Sequence, residues 1–228
     1  MTTDKIIESA TAALAPHGLI LRGGFDFHPG EDAPPGPSRT AGAILLVGQA
    51  GFAAWPHFRA WLAGQPKAPP DPLDAWSREV VEKAASAVGA RAAFPFDKPY
   101  LPFQRWAMRA EGLKPSPLGI LMHPEYGLWH AYRGALLFDR PLGLTPQSPP
   151  AHLCDSCVEK PCLHACPVKA YSVSGFAYQP CLGHVRSPAG KACRATGCLA
   201  RNACPFGRAY RYPADMQAFH MAAFAGAR

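Results

Sequence analysis

Apolar positions in residues 4–14 recur at helical spacing, with Ile6, Ile7, Ala10 and Leu14 on one face, which predicts a short amphipathic helix. Gly18–Phe27 alternates loosely and suits a strand, and the Pro- and Gly-rich stretch 29–38 reads as a loop. Ala43–Gly48 is a continuous apolar run of strand length. Phe52–Leu62 reads as a helix with Phe58 and Leu62 turned inward. A longer helix is expected from Asp71-Pro72 to about Val88, because Asp can cap, Pro suits the first turn, and Leu73, Trp76, Val80 and Val81 share a face. Ala92–Phe94 reads as a short strand and Phe103–Ala110 as a helix. Two further strands, Leu118–Met122 and Trp129–Phe138, are expected on either side of the turn HPEYG.

Residues 141–151, PLGLTPQSPPA, have the composition of an interdomain linker. The expected division is therefore a domain over 1–140, this linker, and a second domain over 152–228. Helices and strands mix without regular βαβ alternation, so the class is α+β. The chain has 228 residues, 48% of them apolar and 17% charged, as expected of a globular protein. No stretch has the length and hydropathy of a membrane span, and the polar N-terminus MTTDKIIESA lacks the apolar core of a secretory signal. The expectation is a cytoplasmic protein with no membrane partner. The formal charge of +7 suits nucleic acid, an anionic ligand or bound anionic clusters. No basic helix or aromatic-basic repeat is present, so no nucleic-acid partner is expected.

Eight cysteines lie within 51 residues, from Cys154 to Cys204. In a reducing compartment such crowding points to metal ligands rather than disulfides. The first group is Cys154-x2-Cys157-x4-Cys162-x3-Cys166-Pro167, and the second is Cys181, Cys193, Cys198 and Cys204-Pro205. Both groups end in Cys-Pro, as in bacterial ferredoxins, where three close thiolates hold one 4Fe–4S cluster and the fourth ligates the other. By that pattern Cys154, Cys157, Cys162 and Cys204 share one cluster, and Cys181, Cys193, Cys198 and Cys166 the second. The Cys157–Cys162 gap is two residues longer than usual, and such an insert is expected to bulge away from the cluster at small entropic cost. Structural zinc is the alternative, with His152, His164 and His184 available as ligands.

The segment HPEYGLWHAYRGALL, residues 123–137, resembles the H-P-x-x-G-x-W-x-x-x-R-G signature of the cobalamin-processing CblC proteins, which decyanate and dealkylate cobalamin. AILLVGQAGFAAWPHFRAWL and the following DPLD helix run in the same order as that family's central strand and helices. The cysteine region is similar to that of epoxyqueuosine reductases, which join a related cobalamin-binding domain to two 4Fe–4S clusters; Pro180-Cys181, Gly197-Cys198 and Cys204-Pro205-Phe206 carry the likeness. The resemblance implies a flavin-nitroreductase-like cobalamin-binding domain followed by a small ferredoxin-like domain with two 4Fe–4S clusters. It also implies an oxidoreductase of the cobalamin reductase or decyanase type, passing electrons from the clusters to cobalt and releasing the upper axial ligand. His123 then matches the corrinoid-contacting His and Gly127 allows a tight turn beside the ligand. Trp129 covers a corrin edge, and Arg133 pairs with a propionamide or phosphate. A small-molecule corrinoid and an external electron donor, a ferredoxin, flavodoxin or reductase, are the implied partners. No catalytic residue is assigned. Cobalamin-dependent reduction of an organic substrate, a non-enzymatic electron carrier and a flavin enzyme stay open as alternatives.

Overall fold

A computed structural model describes residues 1–172 and 175–226. The chain divides into two compact units, one of residues 1–112 and 131–149 and the other of residues 113–130 and 150–228.

The first unit is built on a four-stranded sheet in the order β1 (Ile20–Asp26), β2 (Ala43–Ala50), the strand His130–Phe138, and β3 (Arg91–Ala93). β1 and β2 are antiparallel, with Ile20 opposite Gly48 and Phe25 opposite Ile44. β3 runs antiparallel to the strand beside it, with Ala93 opposite Ala135. β2 is buried along almost its whole length, which explains why its sequence is a continuous apolar run rather than an alternation. Helices α1 (Thr3–Leu14), α2 (Trp55–Ala63), α3 (Pro72–Val88) and α4 (Phe103–Glu111) complete the unit. α1 packs with α3, and α4 packs on β1. Leu14, Leu46, Phe58, Trp76 and Phe94 lie in the core. α3 starts with Pro72 in its first turn, but the Asp71 side chain makes no capping hydrogen bond; the helix closes instead on Gly89, in the left-handed conformation that glycine adopts most easily.

A register shift between Leu21 and Gly24 bulges β1 at Arg22 and Gly23, and Gly23 has φ +57°. Bulges re-aim side chains, and here Arg22 points inward. It is 2% exposed and its partner Glu111, the last residue of α4, is 5% exposed. Arg22 Nε and Nη2 donate to the two Glu111 carboxylate oxygens at 2.8 and 2.9 Å. The Tyr132 hydroxyl donates to Glu111 Oε2. Burial, reinforced by the Glu111 carboxylate and opposed by Arg22, holds the Tyr132 phenol protonated well above its ordinary range.

Three expectations are corrected. Residues 121–122 do not pair with the strand after HPEYG; they form a two-residue ladder with Lys114–Pro115, Lys114 opposite Met122. Segment 113–130, expected in the N-terminal domain, packs with the cysteine-bearing unit because its apolar residues Leu118, Met122 and Leu128 share a core with Cys154, Cys162 and Cys204. The Pro-rich linker is strapped to the first unit: the amides of Leu142, Gly143 and Leu144 all donate to the Asp26 carboxylate, at 2.9, 2.7 and 3.3 Å, and Gln147 N donates to Ala110 O.

The second unit consists of short helices, Leu153–Ser156, Pro161–His164, Tyr178–Arg186, Lys191–Thr196, Leu199–Asn202 and Ala214–Ala225, with the ladders 114–115/121–122 and 171–172/175–176. Its buried clusters are small and rich in cysteine, so little apolar area is available to hold its loops. Among the described residues no helix is long and apolar enough to cross a membrane.

Removing one partner of a buried ion pair strands the other charge, so Glu111→Ala is expected to cost about 3–5 kcal/mol, read as a lower urea midpoint of the first unit's unfolding.

Candidate metal-cluster site

The short helix Leu153–Ser156 carries Cys154, and Cys157 follows at its end. Pro161 starts the next helix, which carries Cys162, and Cys204 follows the helix Leu199–Asn202. These four cysteines line one cavity, together with Met122, Leu128, Lys160 and Phe206. Cys166, Cys181, Cys193 and Cys198 line a second cavity, walled by Tyr171, Phe176, Val185, Leu199, Met221 and Phe224. The fold thus carries Cys204 back to the first three cysteines and joins Cys166 to the later group, the same crossing that the two Cys-Pro ends suggest.

All eight thiols are free. Burial, then Cys204, Cys162 and Cys157, raise Cys154 to about 11 against the lowering effect of Lys160. Cys181 is likewise raised to about 11 by burial, then by Cys198, Cys166 and Cys193. Cys154 and Cys181 are thus each opposed by three cysteines of their own set, and positive charge entering the cavity would offset that opposition. Two donors reach sulfurs of the second set. The Ala170 amide donates to Cys166 Sγ at 3.3 Å, and the Tyr171 hydroxyl lies 3.8 Å from Cys198 Sγ. Among the described residues no three or more His, Cys, Asp or Glu side chains are close enough together to hold a metal ion as they stand. Of the three histidines a zinc site would draw on, His184 lines the second cavity.

The long Cys157–Cys162 gap behaves only in part as expected. Val158 is 91% exposed and bulges outward. Lys160 turns back through a left-handed conformation, φ +40°, lines the first cavity, and donates from Nζ to Cys154 O and Cys157 O at 3.4 and 3.3 Å. The spacing marked the insert, but nothing in the sequence showed which of its residues would return.

The turn 123–127 is closed by reciprocal backbone hydrogen bonds between His123 and Gly127, at 2.9 and 3.0 Å. His123 Nδ1 accepts from the amides of Glu125 and Tyr126, both at 3.1 Å, so the neutral ring carries its proton on Nε2. Gly127 has φ +58°, and a Cβ there would lie 2.5 Å from Phe206 O. Gly207 has φ +66°, and its Cβ would lie 2.2 Å from Tyr126 O. The two glycines let this turn close on the chain just after Cys204-Pro205.

Trp129 is fully buried rather than open to a ligand. The Arg201 guanidinium lies 4.5 Å from its ring and 4.6 Å from that of Tyr212, and Trp129 and Tyr212 meet edge to face at 5.4 Å. Arg133 belongs to the first unit, where its Nε donates to Gln49 Oε1 at 3.1 Å and it borders a hollow with Asp74, Ser77, Phe96 and Tyr132. The four residues expected to share a corrinoid site thus divide between the units.

Charge divides unevenly as well. Ten of the 23 Lys and Arg residues but four of the 16 Asp and Glu fall in the second unit, which therefore carries six of the seven net positive charges. Several of these cations bind carbonyls: Arg201 Nη2 that of Leu128, Arg211 Nη2 that of Asn202 at 2.8 Å, and Arg186 Nε that of Ala225 at 2.9 Å. A carbonyl orients a cation without cancelling its charge. The arginines Arg201 and Arg211, like Tyr171 and Lys160, were not singled out from the sequence.

No family model matches the chain, and no curated protein matches it significantly. Solved structures do. Epoxyqueuosine reductase in complex with an epoxyqueuosine-modified tRNA-Tyr stem loop is similar over 94% of this chain and 68% of its own, with a TM-score of 0.53 and 16% identity. The Bacillus subtilis epoxyqueuosine reductase is similar over 92% and 67%, with a TM-score of 0.52 and 15% identity. The B12-trafficking protein CblC of C. elegans, a homologue of human MMACHC, is similar over 96% and 91%, with a TM-score of 0.56 and 11% identity. At these identities the likeness is one of fold, and this chain shares the mixed α/β fold of the epoxyqueuosine reductases and of CblC.

Proposed function

We propose that this chain is an iron–sulfur oxidoreductase that reduces a bound cobalamin and releases its upper axial ligand. One observation carries the reading: eight free thiols form two sets of four around two cavities, in a fold shared with epoxyqueuosine reductase and CblC. Cys154, Cys157, Cys162 and Cys204 would hold one 4Fe–4S cluster, and Cys166, Cys181, Cys193 and Cys198 the other, in a ferredoxin-like arrangement. A single zinc ion would draw its thiolates to about 3.8 Å apart, given Zn–S bonds of about 2.3 Å, whereas a cubane needs its thiolates spread around a larger cage. The carbonyl-held cations of the second unit supply counter-charge for anionic clusters, and the amide and hydroxyl donors at sulfur stabilise thiolates over thiols.

When bound, the clusters supply single electrons, and a cobalamin supplies a cobalt centre whose axial bonds weaken on reduction. The residues do the rest. His123 is fixed in place by two amides on Nδ1, and its ring would contact a corrinoid amide or phosphate. Arg133 offers a guanidinium to the same classes of group. Gly127 and Trp129 act by shaping the turn and its support, not by touching a ligand. Thiolate clusters persist in a reducing compartment, so the cytoplasm is the proposed location, and an external one-electron protein donor is the proposed partner.

A second reading is cobalamin-dependent reduction of an organic substrate. The epoxyqueuosine reductase likeness favours it, and the positive charge concentrated in the second unit would suit a nucleic-acid-borne substrate in place of the expected absence of nucleic acid. Salt-sensitive binding of a tRNA stem loop, with a slope of several phosphates, would select that reading.

Anaerobically purified protein is expected to hold about eight iron and eight sulfide per chain and little zinc. Cys204→Ala and Cys198→Ala are each expected to lower iron by about half, the residual cluster still giving the broad thiolate-to-iron absorption. Full zinc occupancy without sulfide would overturn the assignment. Titration with cyanocobalamin under reducing conditions is expected to shift the corrin spectrum. His123→Ala should weaken binding roughly three- to tenfold, as loss of one buried hydrogen bond does, with the cluster absorption unchanged; no corrin shift in the parent protein would refute a cobalamin role.

A further inference from the structure

The two cavities are not electrostatically equal. The first has Lys160 in its wall, whereas no Lys or Arg lines the second, where His184 is the one basic side chain in otherwise mostly apolar walls. Lys160 is held there at some conformational cost, since its left-handed backbone is one that residues other than glycine seldom adopt. Its ammonium is oriented by two carbonyls, Cys154 O and Cys157 O, which leave the charge intact. Asp155 and Glu159, the acidic residues nearest in sequence, are exposed. Lys160 is the cation that favours the Cys154 thiolate, and Arg208 and Arg211 favour that of Cys204. On the second side Arg194 acts on Cys193, its guanidinium bound to the carbonyls of Val185 and Ser187.

Reduction adds negative charge to a centre that is already anionic. A nearby cation and hydrogen bonds to the sulfurs stabilise the reduced form, while apolar walls disfavour it; the Ala170 and Tyr171 donors at the second set are neutral, so the full charge of Lys160 outweighs them. We infer that Lys160, returned to the first cavity by the two-residue insert between Cys157 and Cys162, raises the reduction potential of a cluster held by Cys154, Cys157, Cys162 and Cys204 above that of one held by Cys166, Cys181, Cys193 and Cys198. The inference rests on the two-cluster reading. It deepens that reading by stating where an electron shared between the two sets resides: beside Met122 and Leu128, which flank the 123–127 turn and line the first cavity. Lys160 is thus a positioning residue for charge, acting through the cluster site rather than on a substrate. The reductant that loads the pair is a low-potential one-electron donor, dithionite in the test.

The test is an EPR-monitored redox titration of the full chain, reconstituted anaerobically, in the parent and in Lys160→Asn and Lys160→Arg. Asn removes the charge and tolerates the left-handed conformation; Arg keeps the charge. The parent should show two one-electron transitions. In Lys160→Asn the higher one should fall until the reduced-to-oxidised ratio at a given potential is about tenfold lower, equivalent to about 59 mV. The lower transition should stay in place, and Lys160→Arg should match the parent. Two transitions unmoved by Lys160→Asn, or a shift confined to the lower one, would overturn the inference and leave the two-cluster reading standing. So would loss of iron from both Lys160→Asn and Lys160→Gln, since Lys160 would then merely hold the loop. A parent protein without two clusters would overturn both.

Discussion

Thiols gathered four to a cavity are the constraint on which the second unit depends. Cys154 and Cys181 resist ionisation because of burial and because three cysteines of their own set oppose them. Such an arrangement is costly as bare protein and favourable once a positive core sits among the sulfurs. The rest of the unit reads as support for that exchange. Its helices are short, its ladders have two residues a side, and its apolar cores are small and built partly from the cysteines themselves. A unit of this kind needs an internal staple, much as small disulfide or zinc domains do.

The pair Gly127 and Gly207 links this unit to the HPEYGLW segment. Neither position has room for a Cβ, because each would meet the backbone of the opposite turn. The HPEYGLW part of the signature that resembles CblC is therefore part of the cysteine unit's own framework. This also explains Trp129, for which the resemblance implied ligand contact. Its ring is instead occupied by Arg201 and Tyr212, and Arg201 reaches on to the Leu128 carbonyl. An aromatic–cation stack thus ties Trp129, just past the turn, to the helix between Cys198 and Cys204.

The first unit is stabilised by different means. A bulge in β1 sends Arg22 inward to Glu111 and Tyr132, and the next charged residue along the strand, Asp26, gathers three amides of the Pro-rich strap. The first unit pairs several of its cations with carboxylates, Arg22 with Glu111, Arg78 with Asp97 and Arg109 with Glu31, whereas the second unit has few carboxylates and keeps most of the net positive charge.

Local patterning was enough to read much of this protein. The helices over 3–14, 72–88 and 103–111, the buried strand 43–50 and the α/β mixture all follow from apolar spacing, because side chains three or four apart share a helix face whatever the tertiary setting. The Cys-Pro end of each group likewise implied two crossed sets of four through the ferredoxin pattern, while spacing alone brings together only neighbours such as Cys154, Cys157 and Cys162. The sequence left other matters to the tertiary structure. Segment 113–130 joined the second unit because Leu118, Met122 and Leu128 found their apolar partners there. Trp129 became core rather than ligand contact, and Lys160 turned back into the cavity while Val158 faced solvent. Each of these depends on contacts between residues distant along the chain, and no local periodicity encodes them.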